Sequence, residues 1–163
     1  MPARLEIQLK PEMIDAEGMS INRKASAYFG LTVTDTRVMR VLTIDADLKG
    51  DQLERIRTEI FTNPVIEESS FVPLANNFDW LIWVGLRPGV RDPAGSTAVE
   101  AIEGLLGIRF KRDESVYTSK IYQIRGNLKK DDVETIAREI LANDIIQQWK
   151  ISVSYTHLRA HET

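Results

Sequence analysis

The chain of 163 residues carries a formal net charge of −3, is 43% hydrophobic and contains no cysteine. Its length suits one ordinary domain or two small ones, and its acidic balance argues against nucleic acid or an anionic membrane surface as the main partner. The missing cysteines exclude disulfides, thiolate metal ligands and a thiol nucleophile, and they favour a cytoplasmic location. No apolar run approaches the length of a membrane span.

The first half of the chain predicts a strand, a helix, a strand, a helix and a strand. Apolar residues alternate with polar ones between Leu5 and Leu9, which is the period of a half-buried strand. A helix is predicted over residues 20–29, with its apolar residues Ile21, Ala25, Tyr28 and Phe29 on one side. A strand, a second helix and a third strand are then predicted over residues 38–44, 49–62 and 65–72.

The second half repeats this order, with matching residues at a nearly constant distance along the chain. Asp15 and Gly18 recur 77 positions later as Asp92 and Gly95. Beyond a three-residue insertion in a loop, the distance becomes 80 positions, a change that loops tolerate. The five elements are again strand, helix, strand, helix and strand, predicted over residues 78–87, 96–106, 116–124, 131–141 and 145–151.

The second helix of this half is the clearest element in the chain. A continuous apolar stripe at helical spacing marks it as facing a core: Val133, Ile136, Ala137, Ile140 and Leu141. We expect Ile136 and Ile140 to be buried. The matching residues of the first half, Ile56 and Ile60, should behave alike if the duplication is real.

These patterns predict an α+β protein made of two tandem β-α-β-α-β repeats, residues 1–74 and 78–151. The two helices of a repeat can cover only one face of its small sheet, so each sheet needs a further partner. The other repeat of the same chain is the obvious one. We therefore expect a pseudo-dimer, with the two sheets joined or stacked and helices covering one face of each.

Residues 86–95, Leu-Arg-Pro-Gly-Val-Arg-Asp-Pro-Ala-Gly, connect the first strand of the second repeat to its first helix. Asp92 is placed to cap that helix, and Pro93 suits its first position, where a missing N–H costs nothing. Arg87 and Arg91 flank the turn and could hold an anion or meet a neighbouring subunit. Arg87, Arg91 and Asp92 are our candidate interface residues.

No set of residues predicts catalysis or metal binding. The only histidines, His157 and His161, have a spacing that imitates a helical metal pair. They lie in residues 153–163, which resemble the translation of a common sequencing adapter, so we expect residues 152–163 to be an artefactual tail on a fragment. A Ser-His-Asp or Cys-His arrangement then cannot be built, and the phosphate-binding glycine motifs are missing. We assign no catalytic, cofactor-binding or metal residue.

Two signatures of this sequence resemble the PurS family. One is the turn of residues 86–95 with the helix after it, which is similar to the family's L-K-P-G-V-x-D-P-x-G. The other is the family's L-L-A-N-P-V-I-E, whose two halves lie in residues 141–146 and 62–67. The resemblance covers nearly all of residues 4–151 as two copies. It is degenerate in the first copy, where Pro-Glu-Met-Ile at residues 11–14 replaces P-G-V.

This resemblance implies a part of phosphoribosylformylglycinamidine (FGAM) synthase, the amidoligase of purine biosynthesis that converts formylglycinamide ribonucleotide (FGAR), glutamine and ATP to FGAM. In that family the ATP and substrate residues lie in a synthetase and the nucleophilic cysteine in a glutaminase. No catalytic residue therefore transfers to this chain. The implied partners are the synthetase and glutaminase parts, which the PurS-like part bridges, with ATP and Mg only in the parent enzyme.

Tandem PurS-like units also resemble the N-terminal region of fused synthetase chains, where they imitate a PurS dimer. We therefore expect this chain to be monomeric, with no nucleic-acid or membrane partner. Two alternatives remain. One is an ACT or ferredoxin-like regulatory domain that holds a small molecule at its strand–helix turns. The other is an RNA-binding α+β domain, against which the acidic balance and the missing R-G-F-G-F-type strand argue.

Overall fold

A computed structural model describes residues 2–153 of the chain. Each half contains three strands and two helices, and the second helix of each half ends in a short π-helix. The elements of the first half are β1 (Ala3–Leu9), α1 (Ala16–Phe29), β2 (Asp35–Asp45), α2 (Gly50–Ile56), π1 (Arg57–Phe61) and β3 (Glu67–Ser70). Those of the second half are β4 (Trp80–Leu86), α3 (Pro93–Leu106), β5 (Ser115–Arg125), α4 (Lys130–Ile136), π2 (Ala137–Leu141) and β6 (Gln147–Ser152).

The six strands form one sheet in the order β3-β1-β2-β5-β4-β6. The two outer pairs are antiparallel, with Ile7 opposite Ser69 in one and Val84 opposite Trp149 in the other. The order reads symmetrically from both edges, because each repeat contributes its strands in the same sequence. This arrangement confirms the predicted α+β fold with two β-α-β-α-β repeats whose sheets are joined.

The ends of several elements differ from the predicted ones. Helix α1 begins about one turn earlier than expected, because Asp15 caps it at that point. Helix α3 begins at Pro93, directly after its predicted cap Asp92. Strand β6 runs through Ser152, which is buried, one residue beyond the predicted end at Ile151. Val153 is exposed, and the rest of the predicted tail, residues 154–163, lies outside the described residues.

The chain forms two compact units, and each unit takes elements from both repeats. Unit 1 comprises residues 2–13, 40–74 and 91–119. Its apolar core joins β1, the second half of β2 and α2, all from the first repeat, to α3 and the start of β5 from the second repeat. The buried members of this core are Leu5, Ile7, Leu42, Ile44, Ile56, Ala98, Ile102 and Val116.

Unit 2 comprises residues 14–39, 75–90 and 120–153. Its core joins β4, the second half of β5, α4 and the start of π2, from the second repeat, to α1 and the first half of β2. The buried members are Ile21, Ala25, Val38, Ile82, Val84, Tyr122, Ile124, Val133, Ile136 and Ala137. Compact units and sequence repeats are therefore not the same parts of the chain.

Two of the polar side chains that alternate with the core residues of β1, those of Arg4 and Glu6, are also buried. Arg4 Nε donates to Glu6 Oε2 at 3.0 Å, and the two side chains are only 6% and 1% exposed. Glu6 Oε1 also accepts the backbone N–H of Leu74 at 2.8 Å. The segment after β3 is thus bonded to the opposite side of β1 from the helices, since successive strand residues face opposite ways.

In each second helix, the predicted burial is confirmed for the first of the two isoleucines and wrong for the second. Ile56 and Ile136 are fully buried, whereas Ile140 is half-buried and Ile60 is 36% exposed. The cause is the change to π-helix after Ile56 and Ile136, because the wider i→i+5 turn rotates the following residues away from the α-helical stripe.

Helix α1 also departs from expectation at its end. Tyr28 and Phe29 are 72% and 39% exposed, and only Ile21 and Ala25 of the predicted apolar side are buried. The Tyr28 and Phe29 rings contact each other edge to face. They lie in the last turn before Gly30, which ends the helix in a left-handed conformation.

Candidate functional site

The turn between β4 and α3 contains the three candidate interface residues. Arg87 is held at its start, where its backbone N–H donates to Ile146 O at 2.8 Å. The Arg87 guanidinium donates to Asp144 O at 3.0 Å and pairs with the Asp144 carboxylate at 3.2 Å. Since both side chains of this ion pair are about half exposed, we expect it to contribute little stability, on the order of 0–1 kcal/mol. Its effect is to attach the turn to the segment before β6.

Asp92 joins the start of α3 to β5. One carboxylate oxygen caps the helix by accepting the Gly95 N–H at 2.9 Å. The other accepts the Thr118 N–H at 2.8 Å, and the Thr118 hydroxyl lies 2.9 Å from the capping oxygen. A single carboxylate therefore fixes both the direction of the helix and its distance from the strand.

Gly95 allows this close approach. A Cβ atom built at Gly95 would clash with the carbonyl oxygen of Val116, so any larger residue would push α3 away from β5. Gly89, earlier in the turn, has φ +84°, a conformation that glycine adopts without strain. The glycines of the motif thus have geometric roles.

The first repeat contains the same arrangement. Asp15 caps α1 through the Gly18 N–H at 2.9 Å and accepts the Val38 N–H of β2 at 2.8 Å. A Cβ at Gly18 would clash with the carbonyl oxygen of Thr36. We call each aspartate with its glycine, Asp15 with Gly18 and Asp92 with Gly95, an Asp–Gly clasp.

The second signature of the sequence, at residues 141–146, also forms a turn that is held by hydrogen bonds and centred on Asn143. Its side-chain oxygen accepts the Ile145 N–H at 3.1 Å, and its carbonyl accepts the Ile146 and Gln147 N–H groups. The Asn143 N–H in turn donates to Gln147 Oε1 at 2.7 Å. This network leaves Ile145 at the tip, 85% exposed.

Asn63 repeats this turn in the first half. Its side chain accepts the Val65 N–H at 3.0 Å, and its own N–H donates to Glu67 Oε1 at 2.8 Å. Lys10, at the position of Arg87, donates from Nζ to Pro64 O at 2.7 Å. Val65 at the tip is 76% exposed. Each repeat therefore fastens its first turn to its asparagine turn with a basic side chain.

The three candidate interface residues differ in whether they are already bonded within the chain. Arg87 and Asp92 are bonded within the chain, whereas Arg91 is exposed and makes no hydrogen bond or ion pair with any residue from 2 to 153. Analysis of the sequence missed Thr118 and Lys10 as members of these networks. The offset of 77 positions that pairs Lys10 with Arg87 was a signal that could have identified Lys10.

No group of three or more His, Asp or Glu residues between 2 and 153 could hold a metal ion. Burial and the nearby Glu17 carboxylate raise the pKa of Tyr122, so its phenol stays protonated at neutral pH. Among residues 2–153, no helix is long and apolar enough to cross a membrane.

Comparison with known proteins identifies the family. The family model described as PurS, phosphoribosylformylglycinamidine (FGAM) synthase, matches residues 2–73 and again residues 80–155. A search of curated proteins found no match. The two matched segments cover most of the chain and correspond to the two predicted repeats. The chain therefore belongs to the PurS family, and it carries two PurS units in tandem.

Proposed function

We propose that this chain is a non-catalytic assembly component of FGAM synthase, which holds the synthetase and glutaminase parts together. Membership of the PurS family places the chain with FGAM synthase and purine biosynthesis. The bridging role is our inference. It would bring the domain that consumes ammonia next to the domain that releases it from glutamine.

The observation that carries this proposal is the structural role that the residues of the family signatures have in the fold. The aspartate, glycine and asparagine of the signatures bond to nearby backbone or allow close backbone contact, in both repeats. Residues that bond to nearby backbone, or that allow close backbone contact, fix the fold and are not free to bind a substrate. The signatures therefore support a structural role better than a catalytic one.

The turn of the second repeat is our proposed contact with a larger partner. Arg91 is exposed and has no ion pair within residues 2–153, so its charge is available to a partner carboxylate. Arg87 and Asp92, next to it, hold the turn in place while remaining partly accessible. A pre-formed turn loses little conformational freedom on binding, which favours affinity.

The test measures binding of the purified chain to a synthetase and a glutaminase of this enzyme. We expect a ternary complex, and we expect Arg91→Glu to weaken it about tenfold or more, because charge reversal at an interface is unfavourable. Arg109→Glu is the matched control, since Arg109 is also an exposed arginine outside the turn. Equal effects of the two substitutions would remove Arg91 from the interface.

The regulatory alternative predicts a different result. A small-molecule domain would bind a nucleotide or an amino acid without any partner and would be stabilised against heat by it. We expect calorimetry with ATP or glutamine to show no binding to the chain alone. Tight binding of either ligand would replace the assembly role with an ACT-like regulatory one.

A further inference from the structure

The two asparagine turns each present one aliphatic side chain to solvent. Val65 is 76% exposed at the first turn, and Ile145 is 85% exposed at the second. The two positions match at the distance of 80 residues that relates the second halves of the repeats. We call these two side chains the tips. Each compact unit carries one of them, Val65 in unit 1 and Ile145 in unit 2.

Neither tip is required by the geometry of its turn. Glycine, proline, asparagine, aspartate and serine dominate tight turns, and here the asparagine already has that role. Its side chain accepts the N–H of the tip residue at 3.0 Å in the first repeat and at 3.1 Å in the second. A valine or isoleucine at the tip gains none of the free energy that burial would give it. An apolar tip in both repeats therefore indicates a contact outside the chain.

The kind of partner follows from the way the tips are held. The N–H groups of residues 145–147 all donate to Asn143, and those of residues 65–67 all donate to Asn63. These N–H groups are therefore not available to bind an anion, as those of an anion-binding turn would be. A single projecting side chain also cannot enclose a small molecule, because ligand sites are concave. A projecting apolar tip fits a pocket on a larger protein.

The surroundings of the two tips differ. In the second repeat the residue before the tip is Asp144, whose half-exposed carboxylate pairs with Arg87. In the first repeat it is Pro64, which is exposed and adds apolar surface beside the tip. The carbonyl of Pro64 accepts the Lys10 ammonium. A pocket for the second tip must therefore place polar groups opposite an ion pair, whereas a pocket for the first tip must be apolar where it meets the proline.

We propose that the two tips are the attachment points for the two partners of this chain, one tip for each partner, and that each tip enters an apolar pocket of its partner. This inference rests on the proposed function, in which one chain holds two other proteins. The different surroundings of the tips make each one selective. Two partners held by one chain also have a high effective concentration for each other.

Separate titrations with the two partners test this assignment. The full chain is titrated with a purified synthetase and, separately, with a purified glutaminase of FGAM synthase. We expect Ile145→Ser to weaken binding of one partner about tenfold or more and to change binding of the other less than about twofold. Val65→Ser should have the reverse pattern. An aliphatic side chain that is lost from an apolar pocket weakens binding by at least about this factor.

The chain offers a matched control for each tip. Ile14 is 76% exposed and Val72 is 67% exposed, and both lie outside the asparagine turns. Ile14→Ser and Val72→Ser should change binding of either partner less than about twofold. All four substitutions replace exposed side chains, so we expect each variant to fold, and urea unfolding checks this.

The outcomes distinguish this inference from the proposed function. If the unchanged chain fails to bind the two proteins, the proposed function is wrong and the inference falls with it. If the chain binds both, but the tip variants weaken the same partner or act no more strongly than the controls, only the assignment of the tips is overturned. A chain that dimerises until a tip is replaced would assign that tip to a second copy, which also overturns the inference.

Discussion

Gly95 and Asp15 show how single residues of the repeated motif act. The backbone of α3 comes so close to Val116 O that residue 95 has no room for a side chain. Asp15, 6% exposed, satisfies two backbone donors that would otherwise be buried without an acceptor. The identity of both residues therefore follows from the contact between a helix and the strand after it.

The first prediction compares two glycines of α3. Gly95→Ala should lower the free energy of unfolding by about 1–3 kcal/mol, because the new methyl group clashes with Val116 O and moves the helix. Gly104→Ala should raise it by about 0.5–1 kcal/mol, since nothing lies within 4 Å of the new atom and alanine favours helix. Urea unfolding measures both free energies. If Gly95→Ala destabilises the protein no more than Gly104→Ala does, the close approach of α3 to β5 is contradicted.

The second prediction concerns Asp15. Asp15→Ala should lower the free energy of unfolding by about 2–4 kcal/mol, because it removes a helix cap and leaves the buried Val38 N–H without an acceptor. Glu12→Ala, an exposed carboxylate three residues earlier, is the control and should change stability by less than about 0.5 kcal/mol. A similar small effect at both positions would show that the clasp is unimportant.

At the scale of elements, the most informative feature is the change from α-helix to π-helix within α2–π1 and α4–π2. It occurs at the same place in both repeats, directly before the asparagine turn. In the second repeat the Ala142 N–H reaches back to Ala137 O, the i→i+5 bond of a π-turn. The wider turn leads the chain into Asn143, where the turn that meets Arg87 begins.

The third prediction follows from this geometry. Ile136→Ala should cost about 2–5 kcal/mol, as for other fully buried aliphatic side chains. Ile140→Ala should cost less, on the order of 1 kcal/mol, because the π-turn leaves Ile140 only half-buried. Chemical unfolding measures the free energy of unfolding of the two variants. Equal decreases would mean that both residues lie on one α-helical stripe.

At the scale of the whole molecule, both compact units complete their cores from a single chain. The buried residues of each core come from two repeats that are joined covalently. Where one chain supplies both copies of a self-complementary surface, a second chain is not needed to cover it. Covalent linkage also favours the pairing within the chain through effective concentration.

The fourth prediction is therefore that the uncut chain is a monomer. Sedimentation equilibrium should give a mass near 18.5 kDa, the value for one chain, across the concentrations that can be measured. A mass about twice this value at low concentration would mean that a further surface, beyond those paired within the chain, drives dimerisation.

Much of the local structure could be predicted from the residues alone. The strand β1, the helix α4 and the cap at Asp92 depend on neighbours a few positions apart, and the structure confirms these elements and the cap. The predicted burial is confirmed at Ile136 and wrong at Ile140, and the alternating polar residues Arg4 and Glu6 of β1 are buried. The duplication was also visible, because it is a property of the residue order. Family membership followed from the same signatures.

What the order of residues could not decide is which core each first helix joins. Ile21 and Ala25 would be buried whether α1 packed on its own repeat or on the other, so their apolar pattern is identical in both arrangements. The choice depends on contacts between distant parts of the chain, such as Ile21 with the core of β4. The sequence thus determined that each repeat has a helix to bury, and the tertiary structure alone decided that the repeats exchange it, because only long-range packing distinguishes the two arrangements.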